Sequence, residues 1–97
     1  MKKHFVLKLI ANRSGFPQDM TPGERAIMMQ HIGYWTDLMN RGYVLVFGPV
    51  MDPKGIYGIG IVEADSEEEV NTFIANDPAT RINTYEVYPM QAIVPKK

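Results

Sequence analysis

Two helix-start signals constrain this chain more than any other feature. Thr21-Pro22-Gly23-Glu24 and Ser66-Glu67-Glu68-Glu69 each set a hydroxyl three residues ahead of a carboxylate, a capping box in which each side chain satisfies a backbone donor left free by the first turn. Pro22 strengthens the first signal because its fixed φ suits the first helical position. The glutamates of the second lie on the positive end of a helix dipole. From Thr21 onward Ile27, His31, Trp35 and Leu38, with Met28, Tyr34 and Met39 beside them, recur at three- and four-residue steps and form one stripe. That helix is expected to close near Asn40 to Gly42, where glycine tolerates the left-handed conformation. The second helix buries Val70, Phe73 and Ile74 and stops at Asn76-Asp77-Pro78, because the residue before a proline is pushed out of the α region.

The segments around these helices read as strands. His4 to Ala11 alternates Phe5, Leu7 and Leu9 with Val6, Lys8 and Ile10, a period of two; Lys8 hints at a strand end or a wet cleft. Asn12 to Met20 holds Gly15, Pro17 and Asp19 and is expected to be a long, mobile loop. Tyr43 to Phe47 is a β-branched and aromatic run stopped by Gly48-Pro49, and Met51 to Gly55 supplies the turn into a third strand, Ile56 to Glu63. In that strand Tyr57, Ile59 and Ile61 share one face, while Gly58 and Gly60 leave the other bare for a helix or ligand to approach. Thr84 to Val94 is extended again, with Pro89 and Pro95 marking an edge or a bulge. The order β-α-β-β-α-β, over one domain spanning 1–97, predicts a ferredoxin-like α+β fold. Right-handed crossovers then place both helices on one face of a four-stranded antiparallel sheet. The other face is left apolar and uncovered, which predicts a homodimer through the open sheet face.

Composition narrows the function classes. Ten basic residues against eleven acidic ones give a net charge of −1, so no overall field draws the chain to nucleic acid or to an anionic membrane. There is no cysteine, which removes disulfides and thiolate chemistry and suits a cytoplasmic protein. The apolar run after Met1-Lys2-Lys3-His4 is broken by Lys8 and is too short for a signal peptide or a membrane span, so the mature protein is expected to be the whole chain.

His31 is the residue most suggestive of chemistry, since it lies in the inner stripe of the first helix. It is either a core histidine satisfied by backbone or a general acid or base. Asp77 is the candidate carboxylate, oddly placed where a helix ends and its dipole is negative. It can cap a new helical turn opening at Pro78 with one oxygen and orient His31 with the other. Arg13 and Ser14, in the loop after the first strand, are candidates to clamp an anionic substrate group, although such loop residues are usually only solvated. Gly58-Ile59-Gly60 lies inside a strand and is no dinucleotide fingerprint. With two histidines and no carboxylate cluster at ligand spacing, no metal is expected. Tyr43, Phe47 and Tyr57 lack the basic residues of an RNA-reading sheet and are expected to pack in the core or a dimer contact.

His31, Gly42 eleven residues on, Gly48-Pro49, the acidic segment Ala64-Asp65-Ser66-Glu67-Glu68 and Asp77-Pro78 occur in an order that resembles the YCII-related domain family of small dimeric α+β barrel proteins, over roughly residues 5 to 94. The resemblance implies a ferredoxin-like protomer, a homodimer and a His-Asp active site carried by His31 and Asp77, with Gly48 and Pro49 joining Arg13 and Ser14 as substrate-binding candidates. Related dimeric barrels include muconolactone isomerases, dehydrochlorinases of hydroxylated aromatics and cofactor-free monooxygenases. By that analogy the chain is expected to move protons on a small cyclic or aromatic compound, without a cofactor; the alternative is a non-catalytic ligand-binding or interaction domain using the same cleft. After Asp77-Pro78, members often carry a bulky apolar residue and then a glycine, where this chain has Ala79-Thr80-Arg81-Ile82-Asn83. That departure implies a more open or more polar pocket.

Overall fold

The capping residues act as their spacing dictates. In a computed structural model, which describes residues 2–13, 15–16 and 18–95, Thr21 Oγ1 accepts the Glu24 N–H at 3.1 Å, and Glu24 Oε1 accepts the Thr21 N–H at 2.9 Å. Helix α1 (Pro22–Asn40) starts there and closes at Gly42, whose φ of 93° lies in the left-handed region. Ser66 Oγ caps α2 (Glu67–Ala75) through the Glu69 N–H at 3.1 Å. The second box differs from expectation in one respect: the Glu69 carboxylate accepts the N–H of Asp65, one residue earlier than the cap. Directly after α2, Pro78–Arg81 forms a single 3-10 turn, capped by Asp77.

The strands are β1 (Lys3–Ile10), β2 (Val44–Val50), β3 (Tyr57–Ala64) and β4 (Thr84–Met90). They form one antiparallel sheet in the order β2-β3-β1-β4, the ferredoxin-like arrangement. Strand β2 runs through Gly48-Pro49 to Val50 instead of stopping at Phe47. It is an edge strand, so the N–H that proline lacks need not cost a ladder bond. Pro89 sits in the opposite edge strand, paired with Phe5. Strand β4 ends at Met90, short of the expected Val94, and β3 starts and ends one residue later than expected.

Register decides which side chains meet. Phe5 lies opposite Val62, Leu7 opposite Gly60 and Leu9 opposite Gly58, so all six share the helix-covered face. At one end Phe5, Leu7, Val62 and Ala64 pack with Trp35 and Leu38 of α1, Val44 of β2 and Val70 of α2. Tyr34 ties the two helices together by donating its hydroxyl to the Phe73 carbonyl at 2.7 Å. Met39, expected beside the buried stripe, is exposed instead. The opposite face carries Val6, Ile10, Tyr57, Ile59, Ile61, Val46, Tyr88 and Met90, and neither helix covers it. Lys8 lies there as well, in mid-strand and not at a strand end, with its ammonium 4.7 Å from the centre of the Tyr57 ring. Among the described residues no helix is long and apolar enough to cross a membrane.

Candidate active site

The bare stretch of β3 becomes the floor of a cavity. Gly58 and Gly60 contribute no side chain on the helix face, so α1 and the sheet stand apart over them and enclose about 270 Å³. The wall is mostly aliphatic and aromatic: Leu7 and Leu9 from β1, Met28, Ile32 and Trp35 from α1, Phe47 from β2. Phe16 completes it from the loop after β1, where its ring is buried. Five residues with polar side chains join the lining: His31, Trp35, Tyr57, Asn83 and Tyr85; the ring of Tyr57 lies on the open face of the sheet beside Lys8.

His31 and Asp77, 46 positions apart in the chain, are in contact. Nδ1 of His31 lies 3.0 Å from Oδ1 and 2.9 Å from Oδ2 of Asp77. The Asp77 side chain is fully buried, whereas that of His31 keeps 12 % of its surface exposed. Asp77 Oδ1 also accepts the Ala79 N–H at 2.9 Å, and Oδ2 accepts Trp35 Nε1–H at 2.8 Å and the Tyr85 hydroxyl. A carboxylate has about four acceptor sites, and here each meets a donor. Burial pushes the Asp77 carboxyl up, but the bonds from His31, Trp35, Tyr85 and the Ala79 amide outweigh it and hold the group below its ordinary value. Burial, and then the bond to that carboxylate, push the Tyr85 phenol far above its ordinary range, so it remains a donor. An ionised Asp77 accepts only, so the neutral imidazole carries its proton on Nδ1 and presents the Nε2 lone pair. Nε2 makes no hydrogen bond among the described residues, and it is not one of their sealed, unpartnered atoms. Asp77 therefore both caps the 3-10 turn and contacts His31.

The other candidates divide. Gly48 and Pro49 line the cavity. Arg13 does not; it lies in a separate, more open recess with Lys8, Asp52 and Lys54. Its guanidinium donates to Glu24 at 2.7 and 2.8 Å, to Asp19 and to Asn12. That contact, with the Thr21 amide second, pulls the Glu24 carboxyl down to about 2. Arg13 thus fastens the loop to the start of α1 and lies over the ring of Phe16, 5.4 Å from its centre. Ser14 lies outside the described residues. Among those described, no three His, Asp or Glu side chains gather at one point.

Sequence reasoning missed Phe16, Tyr85 and Asn83 as wall residues and took Trp35 for core. Trp35 does pack in the core, and its indole N–H reaches Asp77 from there. The alternation that sends Tyr85 to the helix face was readable in β4. Nothing local signals that its hydroxyl meets a residue of the preceding turn.

These features define a ferredoxin-like α+β protein with an apolar cavity between its first helix and its sheet. The YCII-related domain profile matches residues 10–93, and the chain belongs to that family. No curated protein matches it. Among solved structures it is similar to 5-chloro-2-hydroxyhydroquinone dehydrochlorinase (TftG) from Burkholderia phenoliruptrix, in complex with 2,5-dihydroxybenzoquinone. Identity there is 23 %, with 90 % of this chain and 93 % of that chain covered at a TM-score of 0.67. An uncharacterised protein from Thermotoga maritima is 9 % identical, covering 94 % of this chain and 100 % of that one, with a TM-score of 0.56. A protein of unknown function from Nitrosomonas europaea is 12 % identical, covering 100 % and 98 %, with a TM-score of 0.53. At these identities the likeness is one of fold.

Proposed function

We propose that this chain is a cofactor-independent acid-base enzyme in which His31, oriented by Asp77, moves a proton on a small cyclic or aromatic compound held in the cavity. The observation that carries this reading is the division of labour on the imidazole: Nδ1 is occupied by a buried carboxylate, while Nε2 is left unpartnered at a largely apolar cavity. Nε2 takes a proton from an acidic C–H or O–H of the substrate. In an isomerisation the same proton returns at another carbon. In an elimination the electron pair of the broken C–H bond forms a new double bond, the leaving group departs with its own pair, and the proton is then released. Asp77 holds the ring in one tautomer throughout and stabilises the imidazolium when it forms. A dehydrochlorinase among proteins of like fold agrees with this class of reaction. The same reading has the open sheet face covered by a second copy of the chain, since its exposed Val46, Tyr88 and Met90 are apolar; sizing chromatography returns a dimer if so.

The test is turnover of a panel of small hydroxylated aromatics and lactones by the native chain and by His31→Gln. General acid-base catalysis is worth about 10²- to 10⁴-fold, and a loss of that size with an unchanged fold is expected. Equal turnover by the variant would remove His31 from the chemistry, and no turnover by either protein would favour a ligand-binding site without chemistry.

A further inference from the structure

Tyr85 lies on β4 directly opposite Leu9 of β1, so its ring enters the space between the sheet and α1. There it meets Trp35, with ring centres 6.3 Å apart, and its hydroxyl donates to Asp77 Oδ2. The same oxygen takes the Trp35 indole N–H at 2.8 Å and lies 2.9 Å from His31 Nδ1. Donors from α1 and from β4 thus share one carboxylate oxygen, while Oδ1 is shared by Nδ1 and the Ala79 amide.

A carboxylate beside a histidine does two things: it orients the ring, and its charge holds a proton there. A general base needs the first and is harmed by too much of the second, because a base must start unprotonated. Every further donor to Asp77 draws on the same negative charge, so each weakens the pull on the imidazole proton. The Trp35 indole is fixed by the core and the Ala79 amide by the 3-10 turn. Tyr85 is the donor whose hydroxyl can be removed with its ring left in place. Among the described residues no other ionisable side chain donates to Asp77. Tyr34 on α1 gives its proton to the Phe73 carbonyl of α2 at 2.7 Å, and Arg81 of the 3-10 turn is exposed. Strands β1, β2 and β3 bring Leu7, Leu9, Phe47, Gly58 and Gly60 to this side. Burial and the bond to Asp77 keep the Tyr85 phenol protonated.

We propose that Tyr85 is a positioning residue: by donating to an oxygen of Asp77 that also contacts His31, it limits how strongly the carboxylate holds a proton on the imidazole and leaves Nε2 able to act as a base. This inference rests on the acid-base reading of the same cavity and adds what controls that base. The test follows the ring protons of His31 by NMR as pH is varied. His4, the only other histidine, is the internal control, beside Glu63 on the open face. In Tyr85→Phe the His31 midpoint should move up by about 0.5 in pH or more, a roughly threefold gain in proton affinity, and His4 should stay. The acid limb of kcat/KM for any compound turned over should move up equally. Native chain grown with ring-fluorinated tyrosine carries a more acidic phenol, which donates more strongly, so its His31 midpoint should move down. Of the tyrosines only Tyr85 bonds Asp77 among the described residues, which keeps the test decisive should Tyr85→Phe fold poorly. A His31 midpoint that stays in folded Tyr85→Phe, or that fluorination does not lower, makes Tyr85 a structural contact, overturns this inference and leaves the role of His31 standing. Native turnover by His31→Gln overturns the acid-base reading instead, whatever the titration shows.

Discussion

Strand β3 is built in two halves that do opposite things on the same face. Its C-terminal half presents Val62 and Ala64, both fully buried beneath Phe5, Leu38 and Val70. Its N-terminal half presents Gly58 and Gly60, and above them lies the cavity. Both halves pair with β1 and β2, but α2 adds Val70 over the dense half, and no residue of α2 lines the cavity. The difference lies in side-chain volume and in the cover of the second helix. One strand can therefore anchor the core and leave room for a ligand, provided the apolar positions at one end are replaced by glycine. A close-packed interior does not relax far enough to fill such a gap.

Substitutions that test this contrast should differ in size and sign. Phe5→Ala, in the dense half, is expected to cost about 3–5 kcal/mol in denaturant unfolding, much of the stability of a domain this small. Gly58→Ala is expected to cost about 1–3 kcal/mol, because a Cβ there would meet Leu9 Cβ at 3.1 Å. Gly60→Ala should act the other way. Its Cβ would sit 3.6 Å from Phe47 Cβ, an ordinary contact, so the unfolded chain loses freedom and the fold gains about 0.4–1 kcal/mol. The added methyl also enters the cavity, so affinity for the small hydroxylated aromatics should fall as stability rises. If Gly60→Ala binds them as the native chain does, the cavity floor is not where ligands lie.

The subtlest effect is on pH. The ordinary value for Asp77 is 3.8, and the folded protein holds it lower. Between those values the unfolded chain binds a proton that the folded chain does not, so stability falls as pH falls. The contribution of Asp77 should be whole above about pH 5 and decline below it, with Glu24, at about 2 when folded, adding in the same direction. Carboxyl-carbon NMR should show Asp77 titrating below the ordinary aspartate range; titration at or above that range would mean that burial outweighs its four donors.

The two histidines make a smaller comparison. His4 meets Glu63 at 3.0 Å on the open face, with 28 % of the glutamate side chain exposed. His31 meets an Asp77 that is fully enclosed and bonded on every side. The sequence offers both as lone histidines. Position in the helical stripe singled out His31, while nothing in the neighbourhood of His4 pointed to Glu63.

Sequence alone determined where the two helices begin and end and how side chains alternate along β1 and β3. Caps, glycine closures and a period of two are set by atoms within a few residues of one another, and they scarcely depend on the remainder of the chain. It also supplied His31 and Asp77 as candidates, one from the helical stripe and one from its misfit with a helix dipole. Only the tertiary structure decided that Asp77 gathers donors from α1, its own turn and β4, and that Arg13 is spent on Glu24 and Asp19. Those outcomes depend on groups far apart in the chain, and their distances are set by how the sheet and helices pack.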